Sequence, residues 1–380
     1  MKKVLSVFLV LAMVFALAAC GTTTGKGGSE IALITDKGNI DDKSFNQGSW
    51  EGVVEFAKAN KVTHQYIKPE EASDAGYLQA IDNAVTSGAK VVVTPGFLFE
   101  VPIFEAQKKY PDVKFILLDG APHDPDYTDF EIRDNVASVM YAEEQSGYLA
   151  GYAAVKDGMT KLGFMGGMAV PAVQAFGYGF LQGAEAAAAE LGLADGAITV
   201  TYHYTGDFAE TDTNKATAKT MYQEGAQVIF ACGGSVGKSV MAAASEAGAK
   251  VIGVDVDQRY DSDTVVTSAT KGLGASVVAV LEAIYKTNTW GTYAGTTTYF
   301  NASNEGVGLP TAVIGDDKAD AFDRFTSFDK AAYDVVFDTL AKGSVTPVRT
   351  FTVEDPNGYA TAEELTTNLH LSKVAVTTRQ

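Results

Sequence analysis

The pattern that most constrains the fold is a unit that repeats along the chain: a short apolar run, a turn rich in glycine or acidic residues, and an amphipathic helix. The clearest apolar runs occupy residues 31–34, 91–93, 115–118, 162–165, 228–231 and 251–254. Strands that are buried on both faces read as continuous apolar runs, and their alternation with helices is typical of parallel β-sheet. The pattern therefore predicts an α/β fold.

The repeated unit occurs in two series, one before and one after an alanine-rich helix predicted near residues 143–155. The chain has 380 residues, which exceeds the ~250–300 at which a single hydrophobic core usually stops growing. Two lobes are therefore expected. Ligands of open α/β sheets bind beyond the carboxyl ends of the strands, so the cleft between two such lobes is the expected site.

The start of the chain has the organisation of a bacterial lipoprotein signal rather than of a folded segment. Two lysines precede an apolar run at residues 4–17, and small residues precede Cys20. We expect residues 1–19 to be removed as a signal peptide, Cys20 to carry lipid such as palmitate, and residues 20–29 to form a flexible tether. An uncleaved anchor is one alternative, although the apolar run is shorter than the roughly 20 residues that cross a bilayer. An ordinary secreted protein is the other alternative.

The charge and the cysteines limit the class of partner. The formal net charge is −18 at pH 7, which opposes binding to nucleic acid and other polyanions. A neutral or cationic ligand fits this charge better. The chain has two cysteines, and the signal assigns one of them to lipid. Only Cys232 then remains, so we expect no internal disulfide and no cysteine-based zinc site.

An acid-rich turn, residues 36–48 (DKGNIDDKSFNQG), follows the first predicted strand. Asp41, Asp42 or Ser44 can cap the helix that begins near Phe45, and for at least one of the two acids capping is a sufficient explanation. Phe45 is a candidate for stacking on a flat ligand, with core packing as the alternative. The aspartates of this turn could also suggest a calcium site, but the oxygen ligands are not spaced as in a helix-loop-helix site, and we expect no metal.

A glycine turn in the second series comes within one residue of a phosphate-binding loop. Residues 232–239 (CGGSVGKS) have Cys232 where that motif has its first glycine. The negative net charge and the predicted export argue against nucleotide hydrolysis. Glycines at the start of a helix still let a ligand approach the backbone closely, so Gly233 and Gly234 are candidate contacts.

Other residues of the second series complement the first turn. Phe176 lies at the start of the first long helix of its series, as Phe45 does in the first, so one ring from each lobe can enclose a flat ligand. Asp255 and Asp257 follow a predicted strand, where a carboxylate can accept hydrogen bonds from adjacent sugar hydroxyls. Turn capping is the alternative for these two acids. Lys271, which also follows a strand, supplies a donor.

Several of these features recur together in five segments. The segments are residues 36–52 (DKGNIDDKSFNQGSWEG), 174–183 (QAFGYGFLQG), 232–237 (CGGSVG), 253–258 (GVDVDQ) and 267–272 (TSATKG). In their order they resemble the basic membrane protein family of solute-binding lipoproteins, whose best-described members are purine nucleoside receptors that feed ABC transporters. The resemblance spans most of the chain beyond the predicted signal.

The resemblance implies a two-lobed periplasmic-binding-protein fold of type I. Each lobe is then a parallel sheet flanked by helices, and three crossover segments form the hinge. The expected N-terminal lobe comprises residues 30–155 and about 275–320, and the expected C-terminal lobe comprises residues 156–274 and about 321–380. A monomer is expected, because a delivery protein must present both lobes.

The resemblance also implies residue roles. Two rings stack on the faces of a base, two polar groups bind its edge, and three residues hold the ribose. These are Phe45 and Phe176 for the faces, Asp36 and Asn46 for the edge, and Asp255, Gly234 and Lys271 for the ribose. Gly233 and Asp257 are secondary candidates.

Together these inferences predict a lipid-anchored protein on the extracytoplasmic face of the cell membrane. It binds nucleosides, purine nucleosides in particular, and delivers them to an ABC permease, with no cofactor and no catalytic step. The main alternative is the same fold with another flat or sugar-bearing solute, such as a flavin or an autoinducer. A nucleoside hydrolase is the alternative from another class, although the sequence offers no placed nucleophile and general base. A further role as adhesin or signalling receptor is compatible with transport.

Overall fold

The computed structural model describes residues 28–314 and 320–379. The predicted signal at residues 1–19, the lipidation residue Cys20 and most of the predicted tether lie outside the described residues. Within the described part of the chain, no helix is both long and apolar enough to cross a lipid bilayer.

Short strands alternate with longer helices, as the sequence pattern predicts. The strands are β1 Ile31–Ile34, β2 His64–Ile67, β3 Val91–Pro95, β4 Lys114–Leu118, β5 Val136–Tyr141, β6 Lys161–Gly166, β7 Ile198–Tyr204, β8 Val228–Cys232, β9 Lys250–Asp255, β10 Val265–Lys271, β11 Thr296–Phe300, β12 Val307–Gly308 and β13 Val374–Arg379. The helices are α1 Phe45–Asn60, α2 Asp74–Thr86, α3 Glu100–Lys109, α4 Glu143–Lys156, α5 Pro171–Glu190, α6 Asp212–Gln223, α7 Val236–Ala247, α8 Leu273–Tyr285, α9 Lys330–Ala341 and α10 Ala362–Asn368.

The first sheet is parallel and has its strands in the order β11-β5-β4-β3-β1-β2. Successive side chains of a strand point to opposite faces of the sheet. In β1, Ile31 and Leu33 join one apolar cluster, and Ala32 and Ile34 join another. Both faces of β1 are therefore covered, which explains why this strand is apolar along its whole length.

The second sheet has its strands in the order β12-β10-β9-β8-β6-β7-β13. All neighbouring pairs are parallel except the short β12, which is antiparallel to β10. The final strand, β13, extends this sheet along β7. The predicted α/β fold with two parallel sheets is confirmed.

The chain changes sheet between β5 and β6, between β10 and β11, and between β11 and β12. The change expected near residue 274 falls within the second interval. The third change comes before residue 307, earlier than the expected position near 320, because β12 already hydrogen-bonds to β10.

Helix α4 belongs with the second lobe, because it packs along α5. The predicted boundary at residue 155 would assign α4 to the first lobe. Glycines allow the close contact: a Cβ on Gly151 would lie 2.0 Å from the carbonyl oxygen of Phe180, and one on Gly183 would lie 1.9 Å from that of Tyr148. A larger side chain at either glycine would push the helices apart. The packing fixes the first turn of α4 between the two sheets.

Candidate ligand-binding site

A cavity lies between the two lobes, at the carboxyl ends of strands from both sheets. It contains about 840 Å³ of space not filled by atoms, part of which is continuous with solvent. The first lobe contributes Asp36, Asp42, Phe45, Asn46, Phe97, Asp119 and Met140 to the lining, and the second contributes Glu143, Val170, Phe176, Phe208, Cys232, Gly233, Gly234, Asp255, Lys271 and Arg349.

The acid-rich turn of the first lobe is capped by Asp42. Its Oδ1 accepts hydrogen bonds from the backbone N–H groups of Ser44 at 2.8 Å and Gln47 at 3.1 Å. Its Oδ2 accepts one from the backbone N–H of Asn46 at 3.0 Å. Of the three predicted candidates for the cap, Asp42 therefore satisfies the free N–H groups of α1. The side chain of Ser44 makes no capping bond.

Asp36 and Asn46 are hydrogen-bonded to each other. The Asn46 amide nitrogen donates to Asp36 Oδ1 at 2.9 Å and to Asp42 Oδ2 at 2.8 Å, and its oxygen accepts from the Asp36 backbone N–H at 3.2 Å. Both amide hydrogens of Asn46 are thus engaged inside the turn. Asn46 chiefly orients the two carboxyl groups, and among the described residues Asp36 Oδ2 has no hydrogen-bond partner.

Burial raises the pKa of Asp36 to about 6, against the opposing effect of hydrogen bonds from Gly38 and Asn46. This carboxyl group is therefore a donor in part of the molecules near neutral pH and an acceptor in the rest. Gly96, just after β3, has a φ of +119°, and a Cβ there would lie 3.3 Å from Asp36 Oδ2. The glycine keeps the space beside the carboxyl group open.

Aromatic side chains line the cavity from both lobes. Phe45 and Phe208 are half-buried, so each leaves part of its ring available. Phe176 is only 2% exposed and packs edge-on against Phe230, with the ring centroids 5.9 Å apart. Phe176 therefore also serves the core of the second lobe, and Phe208 is an additional ring that the sequence pattern did not single out.

Lys271, the last residue of β10, is the centre of a buried charge cluster. Its ammonium group bonds to Asp119 Oδ2, and it lies 3.1 Å from Glu143 Oε1 and 4.0 Å from Asp255 Oδ1. The same nitrogen lies 4.8 Å from the centroid of the Phe45 ring. Three carboxyl groups thus share one ammonium group next to an aromatic ring.

Burial and charge act in opposite directions within this cluster. Burial lowers the pKa of Lys271, but Asp119, Glu143 and Asp255 outweigh it and raise that pKa above its ordinary value. Burial raises the pKa of Glu143, but Lys271 and Arg349 outweigh it and hold that pKa below its ordinary value. For Asp119 and Asp255 burial prevails over Lys271, and their pKa values are raised. Lys271 and Glu143 therefore form the charged pair at the centre of the cluster.

Polar contacts join the two lobes across the cleft. Ser44 Oγ donates to Asp255 Oδ2 at 2.5 Å, and Gln258 Nε2 donates to the backbone carbonyl oxygen of Lys43 at 2.7 Å. The bond between Lys271 and Asp119 also joins the lobes. The structure therefore has the lobes closed on the cavity.

The glycine turn lies at the cavity, whereas Asp257 lies outside it. Gly233 and Gly234 belong to the lining, and a Cβ on Gly233 would lie 2.7 Å from the backbone nitrogen of Gly167. Asp257 forms an ion pair with Arg259, with 2.6 Å between Oδ2 and Nη2. Of the predicted ligand-binding residues, those that line the cavity are Asp36, Phe45, Asn46, Phe176, Gly233, Gly234, Asp255 and Lys271.

Asp119, Glu143, Phe208 and Arg349 are charged or aromatic lining residues that were not predicted as ligand contacts. Asp119 directly follows β4, and Phe208 follows β7 after a short turn. The rule that identified Asp255, that ligands contact residues beyond strand ends, applies to both. Glu143 opens a helix whose N-terminus the sequence does not place at the cleft. Arg349 lies outside any strand or helix, and no sequence signal points to it.

The Bmp family model, described as ABC transporter substrate-binding protein PnrA-like, matches residues 29–329 of the chain. The ABC transporter nucleoside-binding protein BmpA of Lactococcus lactis subsp. cremoris (strain MG1363) is 31% identical over 339 residues, covering 81% of this chain and 91% of that protein. Basic membrane protein A of Borreliella burgdorferi is 30% identical over 294 residues, covering 76% and 82%.

A solved structure of solute-binding proteins of an ABC transporter system from Aeropyrum pernix K1 has the same fold. It superposes with a TM-score of 0.71 at 22% identity, covering 86% of this chain and 94% of that chain. The likeness extends across both lobes and supports the type I arrangement of two sheets.

Proposed function

The chain belongs to the PnrA-like Bmp family of ABC transporter substrate-binding proteins, and we propose that within this family it binds nucleosides, purine nucleosides in particular, in the cavity between its lobes. Proteins of this family are the solute-binding components of transporters. The chain is therefore a binding protein and not an enzyme.

The observation that carries the proposal is that one cavity combines aromatic rings with two distinct polar groups. Phe45 and Phe208 are partly open to the cavity, and Lys271 lies among acids beside Phe45. Asp36 has one carboxyl oxygen with no hydrogen-bond partner in the part of the chain that the structure describes. A base stacked on aromatic rings gains roughly 1–3 kcal/mol. The polar groups match the two polar parts of a nucleoside, the edge of the base and the sugar hydroxyls.

The residue roles follow this division. Phe45 stacks on one face of the base, and Phe176 or Phe208 supplies the ring on the other face. Asp36, held in place by Asn46, binds the edge of the base. The ribose is held by Asp255, Gly234 and Lys271, where a carboxylate and an ammonium group can bind adjacent hydroxyls.

The charge of the cavity favours nucleosides over nucleotides. Among the described residues, the lining has five acids, namely Asp36, Asp42, Asp119, Glu143 and Asp255, and two bases, Lys271 and Arg349. A phosphate group would add negative charge to this set, and burying an unpaired charge is costly. The name of the Lactococcus lactis relative, a nucleoside-binding protein, supports the same ligand class.

Closure of the lobes links binding to transport. Each lobe holds part of the ligand, so binding stabilises the contacts that cross the cleft, such as Ser44 with Asp255. The closed, loaded form is the one that the permease receives, by a hinge motion between two rigid lobes.

Lipid on Cys20 would keep the protein on the extracytoplasmic face of the cell membrane. Support for this comes from the sequence, where a basic start, an apolar run and small residues precede Cys20. We expect labelled palmitate to be incorporated into the wild-type protein and not into Cys20→Ser. Membrane retention of an unlabelled Cys20→Ser protein would contradict the lipid anchor.

A thermal-shift screen tests the ligand. A ligand that binds only the folded state raises its melting temperature, and we expect purine nucleosides to do so more than free bases, nucleotides, sugars or riboflavin. Phe45→Ala should reduce this response. Phe130→Ala is the matched control, because Phe130 is a phenylalanine of the same lobe that is 64% exposed. Stabilisation by riboflavin or a sugar, with none by nucleosides, would overturn the ligand and leave the transporter family intact.

A further inference from the structure

Arg349 lines the cavity but lies beyond residues 29–329, the part of the chain that the family model matches. It sits in the segment between α9 and α10. The span that the family model matches therefore includes the other lining residues and not this guanidinium group. Its contacts indicate what it does there.

The segment around Arg349 is fastened to the second lobe. The Gln182 side chain of α5 accepts from the backbone N–H of Val348 at 2.7 Å and donates to the carbonyl oxygen of Val348 at 2.9 Å. Phe351 stacks on Tyr178 of the same helix, with the ring centroids 4.6 Å apart. Bonds on one side of Arg349 and ring stacking on the other hold its backbone in place.

The Arg349 guanidinium group meets three acceptors. Its Nη1 donates to the carbonyl oxygen of Tyr141 at 2.7 Å, to Glu143 Oε2 at 2.5 Å and to Glu144 Oε2 at 2.7 Å. Tyr141 ends β5 of the first lobe, and the two glutamates open α4 of the second. Arg349 thus contacts the point at which the chain first passes between the lobes.

Glu143 connects Arg349 to the cavity. Its side chain is 1% exposed, and its two oxygens lie between two cations: Oε2 lies next to Arg349, and Oε1 lies 3.1 Å from the Lys271 ammonium group. The charged groups that face Glu143 are Lys271 from β10, Arg349, Asp119 after β4, Asp255 at the end of β9, and the adjacent Glu144. Arg349 and Lys271 are thus the two cations that face this group of four acids.

We propose that Arg349 is a positioning residue of the ligand site, which fixes Lys271 in the cavity by holding the Glu143 carboxylate against its ammonium group. Without Arg349, Lys271 alone faces Glu143, Asp119 and Asp255. Buried carboxyl groups that share too little positive charge take up protons. A protonated Glu143 would no longer attract the Lys271 ammonium group. The ammonium group would then move toward whichever carboxyl group stays ionised.

Nucleoside affinity tests this inference, which rests on the proposed function for its ligand. At metal sites, loss of a residue that orients a direct ligand costs about 10–100-fold in affinity, and we expect a loss of that order for inosine or adenosine with Arg349→Met. Arg349→Lys should recover part of the loss, because it restores the charge without the three-way geometry. The loss with Arg349→Met should be greater at pH 5.5 than at pH 8.5, because Glu143 regains its charge as the pH rises.

Glu144→Gln is the matched control for a merely structural role. Glu144 bonds to the same nitrogen of Arg349, but it is not part of the cavity lining and does not contact Lys271. We expect Glu144→Gln to keep nucleoside affinity within about 3-fold, because the change leaves the contact of Glu143 with Lys271 and Arg349 in place. Equal losses in Glu144→Gln and Arg349→Met, or an affinity of Arg349→Met that matches wild type at every pH, would overturn the inference.

A second readout needs no ligand and separates this inference from the proposed function. The pKa of Glu143 is held below its ordinary value, so its stabilising effect is present above about pH 4.5 and lost as the pH falls through the lowered value. In Arg349→Met the Glu143 carboxylate has lost its arginine partner. It destabilises the fold most at high pH, where it is ionised. The melting-temperature gap between wild type and variant should therefore be wider at pH 7.5 than at pH 4.5.

Nucleoside affinity and the ligand-free melting temperature distinguish a failure of the proposed function from a failure of the role of Arg349. Wild-type protein that binds no nucleoside contradicts the proposed function, while the ligand-free gap still tests Arg349. A melting-temperature gap that does not change with pH would overturn the role of Arg349. The role of Arg349 would be supported by a melting-temperature gap between wild type and Arg349→Met that narrows at low pH. The narrowing should disappear when Glu143→Gln is added to both proteins.

Discussion

The two lobes build their halves of the cavity in different ways. In the first lobe, Asp36, Asp42 and Asn46 bond to one another within a single turn. In the second lobe, Lys271 and Asp255 reach partners in the opposite lobe, Asp119 and Ser44. The first half of the site is complete within one lobe, whereas the second is complete only when the lobes meet.

This difference assigns the two halves different tasks. Asp36, Asp42 and Asn46 are bonded to one another within the turn, so these three side chains keep their geometry whether the cleft is open or closed. A buried ammonium group that depends on Asp119 for part of its compensation changes its energy when the cleft opens. We infer that the first lobe presents a ready-made surface to the ligand and that the charge cluster of the second lobe couples binding to closure. The following variants test the contrast.

Lys271→Met should have the largest effect. It leaves Asp119, Glu143 and Asp255 without the ammonium group that they share, and breaking a buried ion pair costs about 3–5 kcal/mol. Urea unfolding at pH 7.5 measures the loss, and calorimetry should show no nucleoside binding. Lys238→Met is the control, because within residues 28–314 and 320–379 the Lys238 ammonium group bonds only to the carbonyl oxygen of Asp41, at 3.2 Å in an exposed contact. Equal stability of Lys271→Met and wild type would show that the cluster does not hold the second half together.

The aromatic rings should separate binding from folding. Phe176→Ala removes a side chain that is 2% exposed, so about 3–5 kcal/mol of stability should be lost together with affinity. Phe45→Ala should weaken nucleoside binding by roughly 1–3 kcal/mol with little change in unfolding. Phe208→Ala tests whether Phe208 is the ring on the second face of the base. If it is, Phe208→Ala should weaken nucleoside binding as much as Phe45→Ala does. Unchanged affinity in Phe45→Ala and Phe176→Ala would contradict stacking between the lobes.

Ser44→Ala should weaken closure. It removes the donor to Asp255 across the cleft, and hydrogen bonds to charged groups contribute about 1.5–3 kcal/mol. Small-angle scattering should show a larger radius of gyration without ligand, and the affinity should fall. Ser49→Ala is the control on the same helix, because Ser49 bonds to the carbonyl oxygen of Phe45 within its own lobe. An identical response of the two serine variants would remove the link between this contact and closure.

Asp36→Asn should have the smallest effect, and its sign depends on pH. The pKa of Asp36 is raised from 3.8 to about 6, so the ionised carboxylate destabilises the fold fully above pH 6 and progressively less as the pH falls toward 3.8. The stability of Asp36→Asn relative to wild type should therefore rise by about 1 kcal/mol from pH 5 to pH 8. Urea unfolding at both pH values gives the difference. A relative stability that falls over this range would show that Asp36 is stabilised as a carboxylate.

Much of the site could be predicted because its residues stand at strand ends. Asp36, Gly233, Gly234 and Asp255 lie within three residues after apolar runs that the sequence displays, and parallel strands bring their carboxyl ends to one edge. Asp119 also follows a strand end, but it is not part of a recognisable motif, so the sequence analysis did not identify it. Asp257 belongs to the same motif as Asp255, yet its carboxylate pairs with Arg259 outside the cavity. Two residues along a turn are enough to reverse which way a side chain faces.

The role of each residue in the site was harder to predict than its presence in the cavity lining. The sequence offered three residues to cap α1, and only the hydrogen bonds of Asp42 distinguish them. Asn46 was predicted to bind a ligand edge, but its two donors are engaged by Asp36 and Asp42. Ser44 turned from a capping candidate into a contact between the lobes. Such assignments depend on angles and distances that residue type alone does not specify.

The sequence by itself determined the α/β class, the two series of strands and the family, because apolar runs and glycine turns are local and keep their meaning wherever they fold. The tertiary structure decided which charges meet. Lys271, Asp119, Glu143 and Arg349 are far apart along the chain and come together only because α4 packs on α5 and the segment between α9 and α10 is fastened to α5. Electrostatic energies depend on distance and burial, and both are properties of the folded chain rather than of the order of its residues.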